Sequence, residues 1–277
     1  MALFYRVVMQ LLKPVNYSVI ILNEYKNMKF ANIIVGSVLL LTLAGCANSS
    51  KSLSDAYKNK TSRAILEDGN NALVKHNYAE AVANFEALDA LYPFGKEVEQ
   101  AQLNGIYAYY KNEKYVEALA AIDRYIHLYP RGEHTPYAYY MRGIINFEST
   151  GTGWLQKIYR GKAATLDMKS LEYAFNDFND LIQKFPESIY NKDARKKMVY
   201  IRNLLAEHEV SVAHFYLKKK AYVAAANRAN YVVTHLGETV YVEDALKVMV
   251  ESYKKLGAEE AANTALKVLK LNYPNSL

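Results

Sequence analysis

Most of the stretch from Tyr78 to Pro93 comes back 37 residues later. Tyr78, Ala81, Phe85 and Pro93 are matched by Tyr115, Ala118, Ile122 and Pro130, and the offset is the same at all four positions. A fixed period of this size, with a small residue, a bulky apolar residue one helical turn on and a closing proline, signals stacked helical hairpins. The alanine lets two helices approach closely and the proline ends the second of them.

The rest of the chain extends this pattern. Repeat one runs from about Ser62 to Pro93, with Gly69 and Ala72 on its first helix, Ala81, Phe85 and Leu88 on its second, and Asn77 and Tyr78 in the turn. Repeat two runs from Glu99 to Pro130, with Tyr109 on its first helix and Ala118, Ile122 and Tyr125 on its second; Ile106 fills its small-residue position. These residues resemble the tetratricopeptide repeat, whose period is about 34 residues. Repeat three closes on Pro186, which stands 56 residues after Pro130, an excess of 19 over the period. Its first helix, Tyr137 to Glu148, carries Gly143, and its second carries Ala174, Phe178 and Leu181. The excess is an insertion at about 149–168 with Gly151, Gly153, Trp154, Lys157, Arg160, Gly161 and Lys162. Insertions on one face of a solenoid are more often functional than decorative. Trp154 is either an interface anchor or a pin holding the loop to the body.

From Asn191 a single long helix is expected to reach about Lys219. Tyr216, Tyr222, Ala225 and Ala229 supply the fourth signature, and Gly237 takes the place of its proline. Tyr253, Ala262, Leu266, Leu269 and Pro274 supply the fifth. The expected fold is all-α: an α-solenoid of about five tetratricopeptide-like helical hairpins over 62–277. Composition agrees, since 51% of residues are hydrophobic, only six are proline, and alternating strand-like runs are absent.

The N-terminus reads as an address. Lys26 and Lys29 precede an apolar run from Ile33 to Leu43, followed by Ala44, Gly45 and Cys46, the sole cysteine. A basic head, a short apolar middle and small residues before a cut describe a secretory signal. Leu43, Ala44, Gly45 and Cys46 resemble the bacterial lipobox, which implies lipidation of Cys46 and cleavage before it. Residues 28–45 are then the signal peptide, 46–61 a lipidated linker, and 1–27 an upstream extension from an early start, Met28 being the better initiator. A rival reading joins Val7 to Leu12 and Val15 to Leu22 into a membrane segment, but Lys13, Pro14 and Asn16 interrupt it. Ala47 and Asn48 lack the aspartate that resembles the inner-membrane retention rule, which implies the outer membrane, on its periplasmic face. A triacylated cysteine exceeds the roughly two membrane signals that stable anchoring needs.

Removing residues 1–45 takes away Arg6, Lys13, Lys26, Lys29 and Glu24, so a net charge of +6 becomes +3, spread without blocks. That balance does not argue for nucleic acid, which would call for a clustered basic face. One cysteine excludes an internal disulfide framework and a zinc or iron-sulfur cluster. The histidines at 76, 127, 134, 208, 214 and 235 form no i, i+4 pair, and read as satisfied surface residues; the glycines near Trp154 lack the Lys-Ser/Thr of a phosphate loop. Glu97 with Glu99, or Asp177 with Asp180, are charges that repeat helices carry on solvated faces. No enzyme, no metal and no cofactor is expected.

In a tetratricopeptide array the first helix of each repeat lines the concave face. The repeat phase places Leu66, Asn70 and Leu73 there from repeat one, Leu103, Tyr107 and Tyr110 from repeat two, and Tyr137, Tyr140, Ile144 and Phe147 from repeat three. With 25 tyrosines in the chain, the expected groove is aromatic. Tyrosine gives large contact area at low entropy cost and a hydroxyl for the backbone of an extended peptide. The alternative is that these rings pack between repeats.

A lipobox followed by five such repeats resembles the BamD family, the lipoproteins of the outer-membrane β-barrel assembly (BAM) machine. The likeness is carried by Phe85 to Gly95, with Ala87, Leu88, Asp89, Tyr92, Pro93 and Phe94. It continues through Ile106 to Asn112, Ala121 to Pro130, Tyr140 to Gly143, and Tyr216 with Val223, Asn227 and Arg228. It spans nearly the whole mature chain; Gly237 and the Lys- and Gly-rich insertion depart from it. The resemblance implies that N-terminal repeats recognise the C-terminal signal of unfolded barrel proteins, while C-terminal repeats dock on the periplasmic domains of BamA among other BAM lipoproteins. Barrel proteins commonly end in an aromatic residue, and Lys111 stands near the expected groove to meet the terminal carboxylate. Two competing functions are a periplasmic repeat lipoprotein that scaffolds cell-wall enzymes, and an enzyme housed in the insertion.

Overall fold

The computed structural model describes residues 56–152 and 167–276. The upstream extension, the signal peptide, Cys46 and most of the insertion, including Trp154, lie outside these. The chain divides into two compact units, Met1–Thr61 and Ser62–Leu277, and the helices below belong to the second. They are α1 (Ser62–Val74), α2 (Tyr78–Leu91), α3 (Lys96–Lys111), α4 (Tyr115–Leu128), α5 (Thr135–Phe147), α6 (Met168–Lys184), α7 (Asn191–Lys218), α8 (Tyr222–His235), α9 (Val242–Lys255) and α10 (Glu259–Asn272). A π-helical turn, Glu148–Thr152, follows α5. No strand occurs among the described residues, and no helix among them is long and apolar enough to cross a membrane.

The helices pair as five antiparallel hairpins, α1/α2 through α9/α10, and the signature residues are what lock each pair. The Phe85 ring of α2 lies on the bare backbone of Gly69 in α1, and the Phe178 ring of α6 lies likewise on Gly143 in α5. Where the first position is larger, the second shrinks. Ile106 faces a repeat whose second helix offers Ile122, and Ala213 one that offers Ala229, all of them fully buried.

Four of the five hairpins turn by the same device. His76, Glu113, Lys220 and Gly257 all have positive φ, between 57° and 71°. In each, the amide one residue further on reaches back to the carbonyl five residues earlier (Asn77 to Ala72, Lys114 to Tyr109, Ala221 to Tyr216, Ala258 to Tyr253), at 2.9–3.0 Å. This is the Schellman closure of a helix, and it normally favours glycine at the left-handed position; only the fifth repeat has one. Tyr78 begins α2 instead of sitting in the turn, and Asn77 caps that helix by accepting from the Glu80 amide. The third hairpin alone lacks the motif, because the π turn leads α5 into the insertion.

Between repeats, the second helix ends on Tyr92, Tyr129, Phe185, Leu236 or Tyr273, followed by proline, or by glycine after Leu236. Residues preceding proline are pushed out of the helical region, and the four that do so have φ from −126° to −135°. Helix α7 is 28 residues long: its C-terminal half forms the hairpin with α8, while its start packs against α5 and α6 through Tyr139, Tyr140, Phe178 and Tyr190.

Candidate functional site

First helices touch one another along the array, α1 with α3, α3 with α5 and α7 with α9, whereas second helices meet the first helix of the following repeat. First helices therefore lie on the inner side of the stack, and their outward side chains form a common surface. On it, Tyr107 and Tyr110 of α3 lie 6.3 Å apart between ring centroids, and Tyr137 and Tyr140 of α5 both meet Tyr190, at 5.9 and 4.9 Å. The Tyr140 and Tyr190 rings are stacked, 17° from parallel, an arrangement aromatic quadrupoles favour when the rings are offset. Tyr107 is close enough to Tyr137 to raise its pKa electrostatically. Four tyrosines, from α3, α5 and the N-cap of α7, thus form a continuous line, with Tyr110 at its edge.

Polar partners fix the ring positions. The Tyr140 hydroxyl donates to Asp193 at 2.7 Å, and Asp193 pairs with Lys197 at 2.8 Å. Burial works against the Asp193 carboxylate, but hydrogen bonds from Lys197 and Tyr140 more than offset it and hold its pKa below the ordinary value. Tyr110, Tyr137 and Tyr140 are all pushed well above an ordinary phenol, foremost by burial. The Tyr110 hydroxyl also bonds to Glu148. These three phenols therefore stay neutral donors at neutral pH. Lys111 places its ammonium 5.9 Å from the Tyr78 and Tyr110 ring centres. Beside the line, Pro136, Tyr137, Phe185, Ile189 and Tyr190 wall a cleft of about 550 Å³.

Of the residues the sequence placed in the groove, Tyr107 is the most open, 39% exposed, and Tyr110, Tyr137, Tyr140 and Phe147 are half-buried. Leu66, Asn70 and Leu73 are also half-buried, and Asn70 accepts from Asn104, which accepts from Gln100, so the surface turns polar toward repeat one. Leu103 and Ile144, 6% and 8% exposed, are core residues instead. Leu103 belongs with Ile106, Ile122 and Ile145, and Ile144 with Phe178 and Leu181. Each clusters with its own second helix and with the first helix of the next repeat, Leu103 with Ile145 of α5 and Ile144 with Ile201 of α7, so more of a first helix's circumference is buried than an amphipathic stripe implies. Tyr190 and Asp193 were missed. Counting from the loop proline finds Tyr190, four residues past Pro186 as His134 is past Pro130, but the insertion breaks the 37-residue offset that points to it.

The six histidines also need one correction. The Nδ1 of His208 is buried without a hydrogen-bond partner, in the outer cleft between α6, α7 and α8, so this ring is not a satisfied surface residue. No group of His, Cys, Asp and Glu among the described residues has the geometry to hold a metal.

Rings with pinned hydroxyls, on a rigid inner surface beside an open cleft, suit contact with another chain. A stack of helical hairpins presenting such a surface is a repeat-type protein-interaction module. The chain belongs to the YfiO family of outer membrane lipoproteins, whose model matches residues 58–269. It is 34% identical to the outer membrane protein assembly factor BamD of Xylella fastidiosa strain Temecula1 over 249 residues, covering 89% of this chain and 84% of that one. Similarity to the protein of the same name from Neisseria meningitidis serogroup B is 35% over 238 residues (85% and 89% of the two chains). For that of Haemophilus influenzae it is 34% over 242 residues (86% and 90%).

Proposed function

We propose that this chain is an outer-membrane lipoprotein of the β-barrel assembly machinery, held through lipid on Cys46 and facing the periplasm. It binds unfolded barrel proteins on its N-terminal repeats and BamA's periplasmic domains, among companion BAM lipoproteins, through its C-terminal ones, and promotes barrel folding and insertion without catalysing a covalent reaction. The family membership and the name its relatives carry support the assignment to barrel assembly. The observation that carries the substrate reading is the line Tyr107, Tyr137, Tyr190 and Tyr140. It offers hydroxyls and flat apolar faces to an extended peptide with an aromatic end, a mode in which pockets for side chains give specificity and backbone bonds give affinity.

Binding of a barrel C-terminal peptide to the mature chain tests it. Truncating Tyr110 or Tyr140 to alanine would open the core clusters they border, so the informative variants are Tyr107→Ala, on the open ring, and Tyr140→Phe, which keeps the stack and deletes one hydroxyl. Tyr107→Ala weakens peptide binding about tenfold, the effect of an interface aromatic worth roughly 1.4 kcal/mol, with an unchanged melting temperature. Full affinity in Tyr107→Ala would remove the groove from the account. Mass spectrometry of the membrane-extracted protein tests the anchor: a free thiol at Cys46 refutes it.

A further inference from the structure

All four Schellman turns join a first helix to its second, so stacking the hairpins side by side places them on one edge of the array. In repeats four and five this edge concentrates positive charge. Lys218, Lys219 and Lys220 occupy one turn and Lys254 and Lys255 the next, against Glu259 and Glu260 at the start of α10. None of the five lysines has a salt-bridge partner among the described residues, and Lys219 lies over the Phe215 ring at 5.8 Å. Around them the surface is apolar where solvent should be expected: Phe215 is 55% exposed, Val223 59% and Leu256 43%. The opposite edge, made by the loops between repeats, is balanced, with Glu133, Glu187 and Glu238 exposed and Lys96, Arg131 and Lys192 exposed as well.

Basic residues in the last turn of a helix offset its dipole, and that accounts for Lys218, Lys254 and Lys255 singly. It does not account for Lys219 and Lys220 past the helix end, nor for three large apolar side chains left in water among them. Lysines around exposed aromatic and aliphatic tips are the pattern of a surface that meets an anionic bilayer, charge against headgroups and apolar tips at the acyl boundary. We infer that the Lys218–Lys220 and Lys254–Lys255 edge, with Phe215, Val223 and Leu256, is a docking surface for anionic phospholipid. A chain tethered through Cys46 has 15 linker residues before Ser62, which reach at most about 50 Å. The patch is then held at high effective concentration over the bilayer, where weak electrostatic contact is enough to engage it. The inference uses the tether for context and owes nothing to the tyrosine groove.

The test takes the full mature chain carrying Cys46→Ser, which has no lipid of its own, and measures its partition onto phosphatidylcholine vesicles with and without phosphatidylglycerol. Binding is expected only with the anionic lipid, falling as salt is raised. In the triple variant Lys218→Gln, Lys219→Gln, Lys255→Gln it falls at least about tenfold; Lys220 is left in place because its backbone is already strained. A control variant, Lys96→Gln with Arg131→Gln on the opposite edge, keeps full binding. Three outcomes overturn the proposal: no partition onto anionic vesicles, equal loss in the control, or no vesicle binding together with tight, lysine-dependent binding of polyglutamate. The last would assign the edge to an acidic polypeptide instead. A lipid-free Cys46 in the native protein refutes the tether and leaves the vesicle result standing.

Discussion

The Phe85 ring occupies the space a side chain at Gly69 would need: a Cβ built on Gly69 falls 2.4 Å from Phe85 Cε1. Phe85 is itself buried and packed, so it cannot swing aside. Alanine at position 69 would gain about 1 kcal/mol of helix propensity over glycine, but overpacking costs about 1–3 kcal/mol. Gly69→Ala is therefore expected to lower stability by up to about 2 kcal/mol in chemical denaturation. Gly143→Ala, where the Phe178 ring would be met at 2.5 Å, should behave alike. Adding Phe85→Leu to Gly69→Ala should recover part of the loss, because the double variant relieves the clash. Additive losses instead of partial rescue would refute the steric reading.

Three of the four left-handed turn positions are filled by residues that dislike them. A non-glycine residue there costs roughly 1–2 kcal/mol, and glycine returns part of this as unfolded-state entropy, about 0.5–1 kcal/mol. Glu113→Gly and Lys220→Gly are thus each expected to stabilise the fold by up to about 1 kcal/mol, raising the melting temperature by a few degrees. Gly257→Ala should lower it by a similar amount. The sign, opposite to the usual effect of glycine, is the informative part, and a fall in melting temperature on Lys220→Gly would contradict it.

These turns mark how far the sequence could be read. The repeat was legible because its determinants are local and periodic: Gly69 with Phe85, Ala81 with Ala118, and a proline after each helix that has one. The hairpins follow from those residues, and the long α7 from the unbroken helical pattern that begins at Asn191. The left-handed turns were not legible, since His76, Glu113 and Lys220 share no side-chain chemistry; only Gly257 carries the usual signal. The groove was legible in kind but not in detail. Tyr107, Tyr137 and Tyr140 fall on the inner surface, yet Leu103 and Ile144 have the same helical phase and are buried by a neighbouring repeat, a contact that no pattern within one helix records. Tyr190 joins the line from across an insertion that the period cannot bridge.

Tyr140 and Asp193 link α5 to α7 across that insertion. Tyr140→Phe removes one hydrogen bond to a charged acceptor, a loss of about 1.5–3 kcal/mol, reduced because Lys197 still pairs with Asp193. Hydrogen exchange should quicken at the start of α7 more than in α9 and α10, which are remote from the change. Uniform quickening across all helices would mean that the bond contributes to global stability and not to this junction.

Alkaline pH tests the burial of the aromatic line. Tyr137 has its pKa raised by burial and by Tyr190 and Tyr107; Tyr140 by burial and by its bond to Asp193. Tyr109, Tyr110 and Tyr125 are raised in the same direction, burial first and then a hydrogen-bonded glutamate. A group whose folded pKa exceeds its unfolded value, here about 10, contributes its full stability below that value. The contribution is lost as pH rises toward the folded pKa, because the unfolded chain gives up its protons first. Stability from these five phenols should accordingly be flat from neutral pH to about 10 and fall steeply above it. In a phenolate absorbance titration, these five should ionise only as the helical circular dichroism is lost. Tyr137→Phe should move the alkaline midpoint upward, since it removes one ionisation that pulls the equilibrium toward the unfolded chain. Ionisation of all the tyrosines in one step near the ordinary phenol value, with the helices intact, would show that the rings of the inner surface are free in solvent and not held as the packing of Tyr137, Tyr140 and Tyr190 requires.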